Sequence, residues 1–114
     1  MKPGGYFLIV AALGTAASGM AVVLGISVPA RAATIQISMQ DLEITPAVAD
    51  AKVGDTIEWV NKDIFVHTAT SRNGDWDVEL PAQKTGTLVL KKAGVVDYYC
   101  RFHPNMKAKL TISP

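Results

Sequence analysis

The sequence predicts an all-β domain, an antiparallel Greek-key β-sandwich, and three observations carry that reading. From Thr34 onward apolar and polar residues alternate with a period of two, the signature of a strand that buries one face. Short runs of this kind recur at close spacing, separated by turn signals rich in glycine, asparagine and aspartate. No stretch after the N-terminal segment carries a helical repeat.

Residues 1–32 differ in composition from the rest of the chain. Lys2 precedes an apolar run, Tyr6 to Val28, rich in alanine and glycine, and Pro29-Ala30-Arg31-Ala32 supplies an A-x-A cleavage pattern before Ala33. This predicts an export signal helix removed after residue 32. The run is also long enough for a membrane anchor, which is the alternative. In both cases the domain, residues 33–114, is expected outside the cytoplasm, in the periplasm, with membrane contact only if the segment stays uncleaved.

In the domain, Ile35, Ile37 and Met39 alternate with Thr34, Gln36, Ser38 and Gln40, which predicts a first strand. Val53-Gly54-Asp55 is a turn signal ahead of a second, in which Ile57 and Trp59 alternate with Thr56 and Glu58. Arg72-Asn73-Gly74-Asp75 reads as a polar loop. Thr87 to Leu90 and Val95 to Cys100 read as strands around the turn Lys92-Ala93-Gly94, and Lys107 to Ile112 closes the domain. In Val95–Cys100, residues Val96, Tyr98 and Cys100 share one face, so a buried Val96 carries the cysteine sulfur to the rim of the core. Tyr98, Trp59 and Trp76 read as packing residues.

About 80 residues make one compact core, which a metal loop can reinforce. Without Lys2 and Arg31, 9 basic residues face 10 acidic ones, so there is no basic field for nucleic acid. A monomer is expected. The single cysteine forms no internal disulfide and offers no second thiolate for a dinuclear metal centre bridged by two thiolates. In an oxidising compartment a ligand role suits such a thiol.

That cysteine opens the most informative stretch, Cys100-Arg101-Phe102-His103-Pro104-Asn105-Met106, a C-x-x-H-x-x-M loop between two strands. Six residue steps can stretch to roughly 20 Å, so the loop must curl sharply to bring its donors to one ion. Pro104-Asn105 is a turn signal that allows it. Thiolate and thioether are soft donors that favour copper over magnesium, calcium or manganese. The only other histidine is His67. The candidate metal set is therefore His67, Cys100, His103 and Met106, two imidazoles and a thiolate with a weak axial methionine, which is the ligand set of an electron-transfer copper site. Taken singly, a cysteine is a small buried hydrophobe and a methionine is core filler. The only cysteine and both histidines falling into one pattern favours ligation.

The loop with its flanking Val95–Cys100 and Lys107–Leu110, the run Val53–Asn61, and Gln40–Pro46 together resemble the small blue copper proteins, the cupredoxins, and most closely their amicyanin type. The resemblance covers nearly all of residues 34–112. The two-residue spacing between His103 and Met106 is similar to amicyanin, whereas the pseudoazurin and plastocyanin loops are longer there. Where amicyanin has a small residue and a proline, this chain has Arg101 and Phe102, and Asn105 replaces a phenylalanine. Those departures bear on partner choice, not on metal binding. The resemblance implies one type 1 copper cycling between Cu(I) and Cu(II), and a redox donor and acceptor, with a dehydrogenase and a c-type cytochrome as candidates. It also implies a hydrogen-bonding residue after the first histidine, here Thr68. Asn61 has two open readings, a holder of the ligand loop or an ordinary strand-end residue.

Three function classes are open. The first is a one-electron carrier, with His103 as the port amid Phe102, Pro104 and Phe65. Arg101, Lys107 and Lys109 read as a solvated rim or as steering charges. The second is a copper-binding or delivery protein. A cysteine–histidine enzyme is the third and fits worst, since nothing in the sequence supplies an oxyanion hole or an orienting third residue. The protein is read as a non-enzyme.

Overall fold

The computed structural model describes residues 32–114, so the expected signal or anchor helix lies outside the described residues. Nine strands run in order: β1 Thr34–Gln40, β2 Glu43–Thr45, β3 Val48–Lys52, β4 Thr56–Asn61, β5 His67–Ser71, β6 Asp77–Leu80, β7 Thr85–Val89, β8 Gly94–Cys100 and β9 His103–Ser113. The described residues contain no helix.

The strands form two sheets, one of four in the order β2-β1-β4-β7 and one of five in the order β3-β9-β8-β5-β6. Their alternation is that of a sandwich: β4 reads partly buried, buried, partly buried along its whole length, and β9 buries Met106, Leu110 and Ile112. Ile37, Met39, Ile57 and Trp59 of one sheet and Leu80, Tyr98 and Leu110 of the other are almost fully enclosed. The expected β-sandwich is present, and most of its pairs are antiparallel, but each sheet also contains one parallel pair. β1 runs parallel to β4, with Thr34 opposite Thr56, and β3 runs parallel to β9, with Val48 opposite Lys109. The remaining pairs are antiparallel. A period-two pattern says which face is buried and is silent on strand direction.

The core has an aromatic knot at its centre. Trp59, Trp76 and Tyr98 pack with ring centroids 5.4–5.6 Å apart, and the Trp59 indole N–H donates to the Tyr98 hydroxyl at 3.2 Å. Burial pushes the Tyr98 phenol up to about 12, against the opposing effect of that hydrogen bond. Such a phenol keeps its proton and serves packing.

Candidate metal centre

Two loops at one end of the sandwich deliver the donors. β8 alternates from Val96 through Tyr98 to Cys100, all inward, so the sulfur reaches the loop fully buried. His103 starts β9 opposite Cys100, and the pairing then slips before Lys107 meets Tyr99. Arg101 and Phe102 make the turn, and the slip accommodates Pro104 and Asn105, after which Met106 returns to the interior at 2% exposure. From the other loop, His67 begins β5, fully buried.

His67, Cys100 and His103 meet, their ligand atoms within 4.8 Å of one another. The Cys100 Sγ lies 3.7 Å from His67 Nδ1 and 3.8 Å from His103 Nδ1. A borderline cation with bonds of about 2.0 Å to nitrogen and 2.3 Å to sulfur separates those atoms by about 3.5–3.7 Å at tetrahedral to trigonal angles. Both sulfur–nitrogen separations therefore suit one shared ion. Met106, the fourth candidate, is buried at the end of the same loop. Zinc sites draw on cysteine, histidine and carboxylate, whereas a buried thioether beside a thiolate and two imidazoles suits copper.

Around the trio the polar groups are satisfied. The Thr68 backbone N–H donates to Cys100 Sγ at 3.4 Å, a contact that stabilises charge on the sulfur. Thr68 Oγ1 accepts the Arg101 N–H at 2.9 Å and lies 2.8 Å from Thr70 Oγ1. Thr70 spends its own proton on Asp77 Oδ1 at 2.6 Å, so Thr68 is the donor in that pair. Asp77 also accepts from Arg101 Nε at 3.2 Å. The Thr70 hydroxyl, against burial, and then Arg101 hold its carboxyl below the usual range. The ligand loop is thus stapled to β5 and β6 by backbone and side chain together.

Asn61 holds the other loop. Its Nδ2 donates toward the carbonyls of Phe65, Leu80 and Pro81 at 2.7, 3.0 and 3.2 Å, while Oδ1 accepts the Asp63 N–H at 2.9 Å. Of its two open readings, the geometry selects the loop holder. Sequence reasoning missed Asp63. Its Oδ2 lies 2.7 Å from His67 Nε2 in a buried setting. Burial pushes its carboxyl up, but the hydrogen bonds from His67, Asp41 and Leu42 outweigh this and hold it below the ordinary value. A carboxylate four residues before a buried ligand histidine was the signal that could have found it.

At the surface, His103 is half-buried, with the Phe65 ring 5.9 Å away. Phe65 and Phe102 are about half exposed, and Ile64 is 76% exposed. The Arg101 guanidinium lies 5.3 Å from the centre of the Phe102 ring.

The family model described as a Cupredoxin-like domain matches residues 6–112. This chain belongs to the cupredoxin-like family. It is 33% identical over 67 residues to an amicyanin of Paracoccus denitrificans, a match spanning 54% of the chain and only 51% of that relative. It is 30% identical over 91 residues to the methylamine utilization protein MauL of Methylorubrum extorquens, covering 76% of the chain and 80% of that protein. Among solved structures, an oxidized amicyanin variant superposes with a TM-score of 0.63 at 22% identity, covering 69% of this chain and 81% of that one. A Cu(I) form of another amicyanin variant gives 0.62 at 23%, with 70% and 82% covered. These likenesses show the cupredoxin fold, with amicyanins among the proteins this chain is similar to. One type 1 copper is the cofactor that the family and this donor set share.

Proposed function

We propose that this protein is a periplasmic one-electron carrier that holds its copper through His67, Cys100, His103 and Met106. The observation that carries the reading is the buried trio of two imidazole nitrogens 3.7 and 3.8 Å from one sulfur that itself receives an N–H. When bound, copper would supply a single redox electron at this site. The chain's own part is to keep the donors in place for both oxidation states. Burial of Cys100, His67 and Met106 excludes water, whose reorganisation would otherwise oppose each transfer. Staples from Thr68, Asn61 and Asp77 limit movement of the loops.

His103 is the port, because it alone of the four is not fully enclosed and it lies beside the exposed rings of Phe65 and its chain neighbour Phe102. An apolar face of this kind suits brief docking with a redox donor and acceptor. The Methylorubrum relative is named for methylamine utilization, and a dehydrogenase donor with a c-type cytochrome acceptor fits that setting. A carrier needs no substrate cavity. Residues 1–32 then serve as the export signal, and a mass that starts at Ala33 in the exported protein is the expected result.

The deciding experiment adds Cu(II) and records visible absorption, electron paramagnetic resonance and voltammetry. Intense blue absorption with a reversible potential is expected, and Cys100→Ser should abolish the colour. A folded, colourless sample would overturn the reading, while colour without reversible voltammetry would point to copper handling instead. Replacing Phe102 with aspartate should slow electron exchange with the partner and leave the colour intact.

A further inference from the structure

The turn between β1 and β2 reaches the metal centre through Asp63. Gln40 pairs with Glu43, so Asp41 and Leu42 form a two-residue hairpin loop with φ of 54° and 63°. That geometry belongs to Asn-Gly or Asp-Gly loops, and a leucine held there is unusual. Leucine is also not retained for burial, since Leu42 is 47% exposed. What the loop conformation does achieve is to aim two amides at one carboxylate. The Asp41 N–H donates to Asp63 Oδ1 at 2.7 Å, and the Leu42 N–H donates to Oδ2 at 3.3 Å. Oδ2 is also the atom that lies 2.7 Å from His67 Nε2. The Asp63 backbone is fixed as well, by Asn61 Oδ1 on its N–H and by the Gln83 N–H on its carbonyl at 3.1 Å.

We propose that Asp63 is the positioning residue of the metal centre, and that the β1–β2 turn is what positions it. Each carboxylate oxygen accepts one turn amide, which fixes the plane of the group and leaves a second lone pair of Oδ2 facing the imidazole. His67 must then carry its proton on Nε2. Its bare nitrogen is Nδ1, the one that faces the sulfur. Loss of the carboxylate would free the ring to move its proton to Nδ1, which blocks the ligand nitrogen before any ion arrives. The same turn adjoins the other end of the site, because Leu42 lines a shared 350 Å³ cavity with Asn105 and Met106. One hairpin loop thereby borders both ligand loops.

The inference builds on the copper reading but is tested first without metal. Nitrogen-15 spectra of the full metal-free protein report which ring nitrogen of His67 is protonated, and the expected answer is Nε2. In Asp63→Asn the Asp41 N–H, the shorter of the two turn bonds, still requires an oxygen at Oδ1, so the amide NH₂ faces His67, and the ring proton is expected on Nδ1. Asp63→Ala should lose the fixed tautomer. A glycine inserted between Asp41 and Leu42, which withdraws the amides, should do the same, whereas Leu42→Gly keeps both amides and should retain it. Copper titration should then show about tenfold to a hundredfold weaker binding in Asp63→Asn and in the insertion variant. Amide dispersion checks that each variant folds, and Asp63→Asn, of equal volume, carries the test if Asp63→Ala does not. An Nδ1 proton in the original chain, or an Asp63→Asn ring that keeps Nε2–H, would overturn the positioning role. An insertion variant with unchanged spectra would overturn the part assigned to the turn. Failure of the original chain to bind copper would refute the carrier reading alone.

Discussion

Thr68 does two separate jobs with its backbone and its side chain. The N–H that contacts Cys100 Sγ belongs to the backbone and survives any substitution except proline. The hydroxyl instead satisfies the Arg101 N–H and closes the chain through Thr70 to Asp77. Thr68→Val keeps the shape and the sulfur contact but leaves the Arg101 amide without an acceptor, at a cost of about 1–3 kcal/mol. Urea unfolding should record that loss, while the blue absorption persists. The donors themselves are legible in the sequence because they are chemically rare there, with one cysteine and two histidines in the chain. Asp63 is not, because one carboxylate among 10 acidic residues looks like solvent-facing charge until the fold turns it onto His67. Asn61 is half legible: its place ahead of His67 is suggestive, but three carbonyl partners from distant segments exist only after folding.

At the scale of elements, the strands legible in the sequence are those with large apolar residues on one face, such as β1, β4 and β8. β5 is hidden because His67-Thr68-Ala69-Thr70-Ser71 has no apolar alternation, although it is the most enclosed short strand. It sits between β6 and β8 in the sheet, so both edges are paired, and its two threonine hydroxyls bond to each other. β3 is equally silent, since its inward residues are only Ala49 and Ala51. The close approach of β7 to β6 has a readable cause. Gly86 lies opposite Trp59, and a Cβ there would come within 2.5 Å of Leu80 Cδ2 and 2.9 Å of Val78 Cγ1. Leu80 is fully buried and has little room to yield. Gly86→Ala should therefore destabilise the domain by about 1–3 kcal/mol, measured by urea unfolding of the metal-free protein. If the copper spectrum of the variant also shifts, the strain has travelled along β6 to the Leu80 carbonyl that Asn61 holds.

For the whole molecule, the two sheets are joined by polar clasps at both ends of β4. At the metal end, Asp63 links the β1–β2 turn of one sheet to His67 of the other. At the far end, Asp55 Oδ1 accepts the Ala33 N–H at 2.8 Å and Oδ2 accepts the Lys52 N–H at 2.9 Å, joining the start of β1 to the end of β3. Its backbone carbonyl takes the Leu90 N–H at 2.8 Å, which adds the end of β7. The Ala33 amide first, and then that of Lys52, hold the Asp55 carboxyl below its ordinary value despite burial. A carboxyl lowered by folding contributes stability that is fully present above its unfolded value of about 3.9 and disappears as pH falls through the folded value. Asp63 and Asp77 are lowered too, so the three act in the same window. The metal-free protein should lose stability steeply below about pH 4. Metal-free protein is required because acid also protonates the ligands and would add copper release to the same window. Asp55→Asn keeps one acceptor and the volume, so it should be less stable at about pH 7 yet show a shallower acid limb. The comparison to make is urea midpoint against pH for the two chains. Parallel acid limbs would mean that the Asp55 charge does not hold the far end of the sandwich together.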